Sequence, residues 1–158
     1  MLALFRALTY SALFIGVFLV VVPQQILVAT GIVRPHYTGP LEIAILYIVV
    51  LGAALAVWCI LTFALVGNGT PAPFDPPRKL VRTGPYRWVR NPMYIGASLV
   101  LLGTALYYRS PALAAFAAGF VLVAHAFVVL YEEPTLERTF GALYADYRNA
   151  VQRWLPKW

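Results

Sequence analysis

Across residues 41–66 the chain carries a single charged side chain, Glu42. A run of this kind exceeds the ~20 apolar residues a helix needs to cross the hydrocarbon of a bilayer. Inside lipid, only helices and closed barrels satisfy their own backbone polar groups. The stretch is therefore either a membrane helix or the core helix of a soluble domain, and composition decides between them. Hydrophobic residues make up 61% of the chain and charged residues 11%, against about 25% charged in a typical soluble domain. A chain of 158 residues cannot bury that much apolar surface in a core of its own. The bilayer must act as its solvent, and the expected fold is an all-α, integral membrane helical protein.

Three further apolar segments accompany the first, at residues 2–22, 93–108 and 112–131. Together they predict four transmembrane helices in one membrane domain spanning residues 1–158. The opening segment, which ends at Pro23, also fits a signal peptide. Its length and the lack of a prompt small-residue cleavage site favour a retained span. The last two segments meet across Arg109-Ser110-Pro111, a connection short enough to predict a helical hairpin. Gly96, Ala97, Ser98 and Gly103 give the third helix the small surfaces that membrane helices use for close packing.

Charge sets the expected orientation. Arg78, Lys79, Arg82, Arg87 and Arg90 lie between the second and third spans, and Arg138, Arg148, Arg153 and Lys157 follow the fourth. With four spans these fall on one side together with Arg6, leaving Arg34 and Arg109 opposite. The positive-inside rule makes that side the cytoplasm, with both termini on it, and a prokaryotic inner membrane is the expected location. The formal charge of +6 is thus explained by the bilayer surface and not by nucleic acid. Cys59 stands alone in an apolar run, which excludes a disulfide framework, and no Cys/His cluster predicts a metal site.

Two stretches on the cytoplasmic side do not span. Residues 67–91 are rich in Pro and Gly (Pro71, Pro73, Pro76, Pro77, Gly84 and Pro85 among them), the pattern of a long structured loop. From Pro134 onward, Leu136, Phe140, Leu143, Tyr144, Tyr147 and Val151 recur at helical spacing, predicting an amphipathic helix that lies in the interface or packs over a site.

The polar residues that can carry chemistry concentrate at residues 78–96 and 130–156. Arg82 to Gly96 places arginines, aromatics and Asn91 where the loop enters the membrane, which by itself fits an ordinary basic and aromatic belt. Glu132-Glu133 sharpens that reading. Adjacent carboxylates at the end of an apolar span are unfavourable without partners, and such groups tend to be functional. A hairpin of the last two spans brings Tyr94 and Glu133 to the same cytoplasmic end, where the loop's arginines and these carboxylates can converge on one polar pocket. His125, within the fourth span, is expected to make an interhelical hydrogen bond, with a proton relay as the alternative, and His36 to lie on the opposite surface. Tyr144 and Tyr147 are expected to pack or to cover the pocket, and Arg148 and Arg153 to meet lipid phosphates, with a role in orienting substrate as the alternative.

Gly84-Pro85-Tyr86, then Arg90-Asn91-Pro92-Met93-Tyr94-Ile95-Gly96, then Glu132-Glu133 with Leu136, then Phe140-Gly141 with Tyr144 and Tyr147, and finally Trp154-Leu155-Pro156 follow one another in order. In this order and spacing the chain resembles the isoprenylcysteine carboxyl methyltransferase family, whose wider group includes phospholipid N-methyltransferases. The resemblance runs from Arg78 to Pro156, while the first two spans match only as apolar segments. It implies a membrane methyltransferase using S-adenosylmethionine and releasing S-adenosylhomocysteine. It implies a cofactor at the cytosolic end of the last hairpin, beneath the C-terminal segment. By position, Tyr86, Arg90, Asn91, Pro92, Tyr94 and Glu133 become cofactor-site candidates, with Glu133 and Arg90 the candidate catalytic residues. Better-known members carry His where this chain has Asn91, which hydrogen-bonds but does not titrate near neutral pH.

These residue types suit the chemistry. Arg90 can pair bidentately with an amino-acid carboxylate, Glu133 can accept from ribose or amino groups, and the Tyr86 or Tyr94 ring can attract a sulfonium. A carboxylate acceptor needs no base; a protonated amine does, with Glu132 or Glu133 the candidate. The expected partners are the lipid bilayer and a hydrophobic small-molecule or lipidated acceptor, whose carboxyl, amine or thiol takes the methyl. Two other classes remain open at this stage: a membrane reductase using NADPH, for which no G-x-G-x-x-G fingerprint is present, and a non-enzymatic four-helix interaction protein.

Overall fold

A computed structural model describes Thr9 and residues 13–32, 39–67 and 78–157, and these are all helix or connecting loop, with no strand among them. Arg6, Arg34, His36, Tyr37, the early part of the first segment and prolines 71, 73, 76 and 77 lie outside the described residues.

Five helices follow in order: α1 (Leu13–Ala29), α2 (Pro40–Gly67), α3 (Pro92–Tyr107), α4 (Pro111–Phe140) and α5 (Ala142–Ala150). Pro40 starts α2 at a position where no amide hydrogen is needed, and the Glu42 carboxylate accepts from the Gly39 amide at 3.0 Å. The α2 helix has 28 residues and α4 has 30, both apolar enough to cross a bilayer; α1 and α3 are shorter. At ~1.5 Å per residue either long helix exceeds the ~30 Å hydrocarbon core, so each extends into the interface. Leu51 and Val50 on α2, and Leu122, Val123 and Leu130 on α4, face outward, as lipid-facing residues do.

Two boundaries differ from the sequence expectation, and for the same reason. The first helix does not end at Pro23 but continues to Ala29. The fourth does not end near Tyr131 with a new helix from Pro134, but continues to Phe140. Each proline is preceded by a widened π-helical turn, Gly16–Val21 before Pro23 and Val128–Glu132 before Pro134. A wider turn removes the clash between the ring and the carbonyl four residues back, so the helix passes through. The expected amphipathic tail is consequently split at Gly141, whose φ of 54° is a left-handed conformation that side chains resist. Its first half belongs to α4 and its second half is α5.

The close packing expected of α3 is directed mainly at α2 and only secondarily at α4. A Cβ on Gly96 would stand 2.6 Å from the Gly52 carbonyl oxygen, and one on Gly52 would stand 2.7 Å from that of Gly96. The two backbones touch there because both residues are glycine. The α3–α4 hairpin turns at Arg109, with φ 49°, and Ser110 caps α4 by accepting from the Leu113 amide at 3.3 Å. After α5, residues 151–157 form no regular element and lie along α4. Arg153 meets Glu133 there, and Trp154 meets His125, about two turns nearer the middle of the helix.

Candidate functional site

The site forms where the loop before α3, the polar end of α4 and the C-terminal segment converge. Gly84 starts a tight turn, Gly84–Arg87, with φ 59° and its backbone against Thr62 and Trp58 of α2. That turn drives Tyr86 inward, where its ring packs edge-on to Phe63 at 5.1 Å and beside Cys59 and Val81. Burial, followed by the neighbouring Cys59 thiol, pushes the Tyr86 phenol well up, so it stays neutral. Its carbonyl accepts from the Tyr147 hydroxyl at 2.6 Å, tying the loop to α5.

From this anchor the chain enters α3 through Arg90 and Asn91. The C-terminal segment pins both: the Arg90 amide donates to the Gln152 carbonyl at 2.9 Å, and the Asn91 side-chain amide donates to the Arg153 carbonyl at 3.2 Å. Pro92, fully buried, then opens α3 as its first residue.

Arg90 and Glu133 face each other inside this frame. Arg90 Nη2 lies 3.1 Å from Glu133 Oε1, and the two side chains are only 9% and 12% exposed. Arg153 completes a triad, with Nε donating to Oε1 at 2.7 Å and Nη2 donating to Oε2 at 2.9 Å. The pairing raises the affinity of Arg153 for its proton, chiefly through the hydrogen bond to Glu133. Arg90 Nη1 also donates to the Tyr144 hydroxyl at 3.3 Å. Burial first, then the negative charge of Glu133, pushes that phenol up to about 12. One donor is left over: Arg90 Nε is buried with no hydrogen-bond partner. An unpaired guanidinium N–H in such a place is unfavourable by about 1–3 kcal/mol unless something accepts from it.

Glu132, the residue next to Glu133, has a different environment. It closes the π-helical turn of α4, and its Oε2 accepts from the Tyr94 hydroxyl at 3.2 Å. The π-turn shifts the register by a residue at this point, a feature frequent at functional positions in helices.

Of the residues singled out from sequence, Arg90 and Glu133 are in direct contact, and Asn91 and Pro92 build the wall beside them. Tyr94 reaches Glu132 rather than Glu133, and the Tyr86 ring turns away into the Cys59 cluster. Arg153 corrects an expectation: its side chain is on Glu133, not directed to lipid phosphates, and Arg148 pairs with Glu137 at 3.0 Å. His125 corrects another expectation: it makes a structural hydrogen bond, accepting from the Trp154 indole at 3.1 Å, but the partner lies in the C-terminal segment and not on another helix. Tyr144, expected to pack or to cover the pocket, accepts from Arg90, whereas the pairing of Arg153 with Glu133 was not foreseen and depends on the C-terminal segment folding back.

The arrangement is thus a helical membrane protein with a buried Arg90–Glu133 pair, completed by a partly exposed Arg153, at one end of its last hairpin. A family model described as phospholipid methyltransferase matches residues 41–143, well over half of the chain, and the chain belongs to that family. The expected resemblance to the wider isoprenylcysteine carboxyl methyltransferase group therefore holds. The match begins at the start of α2, earlier than the motifs alone reached, and stops before Tyr144, Tyr147 and Arg153. No curated protein and no solved structure matches the chain significantly. The family and the two long apolar helices make this an integral membrane methyltransferase.

Proposed function

We propose that this protein transfers a methyl group from S-adenosylmethionine to a lipid-like acceptor at the cytoplasmic face of a membrane it crosses four times. The observation that carries the reading is the orphaned Arg90 Nε. It is a buried guanidinium N–H beside a satisfied ion pair, the feature a carboxylate-bearing cofactor would complete. The family supports the activity, and the charge distribution supports the orientation.

In this reading Arg90 receives the amino-acid carboxylate of the cofactor, and Arg153 keeps Glu133 aligned to accept from its amino or ribose groups. Asn91 and Pro92 shape the wall, and Tyr94 offers an aromatic face on the acceptor side. Tyr86 acts from behind, holding the loop through Cys59 and Tyr147. The bound cofactor supplies an electrophilic methyl on a sulfonium. The chain's contribution is to exclude water and to set donor and acceptor in line, which alone can supply most of the acceleration. An acceptor dissolved in the bilayer would enter laterally between helices.

The test is transfer itself. Purified protein, S-adenosylmethionine labelled in its methyl group and a total lipid extract are incubated together. Label is expected in the organic phase, dependent on protein and suppressed by S-adenosylhomocysteine. A folded sample that moves no label into any lipid fraction would count against the reading.

A further inference from the structure

Arg87 is held in place without being used. The turn that drives Tyr86 inward leaves Arg87 and Trp88 on the outside, and both are exposed. The Arg87 guanidinium lies over the Trp88 ring, 4.5 Å from its centroid, and that ring meets Trp58 of α2 edge-on at 5.9 Å. A contact with a ring face fixes a guanidinium while leaving N–H groups for another acceptor. The loop reaches this point by running back along α2. The Arg78 and Lys79 amides donate to the Gly67 carbonyl at 3.0 and 3.3 Å, and Gly84 packs on Thr62 and Trp58. Val81 and Tyr86 turn into the Cys59 cluster. Arg78, Lys79, Arg82 and Arg87 are exposed, and among the described residues no carboxylate pairs with any of them. Counted along α2 from Glu42, ~30 Å of hydrocarbon takes about 20 residues and ends near Thr62. Trp58 and Trp88, 47% and 45% exposed, therefore stand at the border between hydrocarbon and headgroups, where tryptophan is favoured. One and two turns deeper, Ala54 and Leu51 are exposed and continue an apolar track below Trp58.

We propose that Arg87, Trp88 and Trp58 form a site for an anionic phospholipid of the surrounding leaflet, separate from the methyl acceptor. The Arg87 guanidinium donates to the phosphodiester oxygens. The two indoles border the glycerol region, and an acyl chain follows Trp58, Ala54 and Leu51. Arg78, Lys79 and Arg82 add a positive field that favours a headgroup of net negative charge over a zwitterionic one, whose ammonium they repel. A free phosphate would meet the cation but leave the apolar track uncovered. A lipid seated here braces the turn that places Tyr86 and, three residues beyond Arg87, Arg90. The proposal does not depend on the methyltransferase reading, since no step in it needs a cofactor.

Lipid retention by the delipidated protein in an uncharged detergent tests this. Native mass spectrometry reads retention from an equimolar mixture of phosphatidylglycerol and phosphatidylcholine of matched chains, and the thermal transition is followed with each lipid added singly. The parent should retain phosphatidylglycerol at least about fivefold over phosphatidylcholine, and phosphatidylglycerol should raise the transition the more. Arg87→Ala should lose at least about tenfold in phosphatidylglycerol affinity, and Arg87→Lys about threefold, because lysine keeps the charge without the fork. Arg138→Ala removes an exposed arginine at the same end of the molecule and should stay within about twofold of the parent. Transitions measured without lipid report whether each variant is folded; if Arg87→Ala is not, Arg87→Lys carries the comparison. Equal retention of the two lipids by the parent would overturn the proposal. So would a loss in Arg138→Ala matching that in the Arg87 variants, which would mean a diffuse positive surface. Inorganic phosphate that raises the transition as much as phosphatidylglycerol at equal concentration would make the occupant a soluble anion, and would overturn it too. Binding of S-adenosylhomocysteine to the same samples decides the methyltransferase reading separately.

Discussion

At each end of the α3–α4 hairpin an arginine meets a glutamate, and the two pairs have nearly the same length. Arg109 reaches Glu42 at 3.0 Å and Arg90 reaches Glu133 at 3.1 Å. Their carboxylates are about equally covered, 13% and 12% exposed, but their arginines are not. Arg109 is 78% exposed, in a turn, and the Glu42 carboxylate also caps the start of α2. Arg90 is 9% exposed and tied to the C-terminal segment, to Tyr144 and to a carboxylate shared with Arg153. Water screens the first pair and makes its partners interchangeable with solvent. Arg90 and Glu133 are largely covered, so their inner donors and acceptors must be met by protein or ligand. Distance alone would have ranked the two as equals; burial and connectivity separate a surface strap from a binding site.

The largest expected effect lies at the buried end. Glu133→Ala leaves Arg90 and Arg153 facing each other without their shared anion, and should destabilise the protein by about 3 kcal/mol, read as an earlier thermal transition in detergent. S-adenosylhomocysteine binding should fall with it. Arg90→Lys comes next. It keeps the charge but removes the planar fork and the Nε donor, so the affinity for S-adenosylhomocysteine should drop at least about tenfold with the thermal transition little changed. A fully retained affinity in Arg90→Lys would mean that the orphan donor has no ligand.

A smaller effect is expected at the rim of the same region. Tyr147→Phe removes the 2.6 Å bond to the Tyr86 carbonyl and should lower stability by about 1 kcal/mol. The phenol is held neutral by burial, so this loss should not vary with pH below the alkaline range. Smallest of all, Arg109→Ala should leave the thermal transition unmoved at moderate salt, with any low-salt difference vanishing as ionic strength rises. A substantial loss there at moderate salt would erase the contrast between the two ends.

Much of this architecture was legible because hydrophobicity and charge act over long stretches. The runs at residues 41–66 and 112–131 marked the two long helices, Arg109-Ser110-Pro111 marked the hairpin turn, and the apolar run from residue 93 marked α3 to within one residue of its start. The prolines misled, because a π-helical turn is a backbone adjustment with no side-chain signature; Pro23 and Pro134 read as boundaries and are passed through. At the site, Arg90 and Glu133 were legible because each stands at a membrane boundary where a charge needs a reason. The hairpin also made the convergence of the loop's arginines with these carboxylates legible, but not the arrival of Arg153. That depends on residues 151–157 turning back along α4, a long-range placement fixed by Gln152 and Trp154 that periodicity does not report. The inward turn of Tyr86 was hidden for a similar reason, since the pocket that takes its ring is built by Cys59 and Phe63 on a different helix.

The central claim is that the Arg90–Glu133–Arg153 triad is one wall of a pocket for an adenosyl cofactor. Calorimetric titration of the detergent-purified protein with S-adenosylhomocysteine, alongside NADPH, tests it most directly. Saturable binding of S-adenosylhomocysteine with no heat from NADPH is the predicted result; a folded protein that binds NADPH, or neither compound, would contradict it.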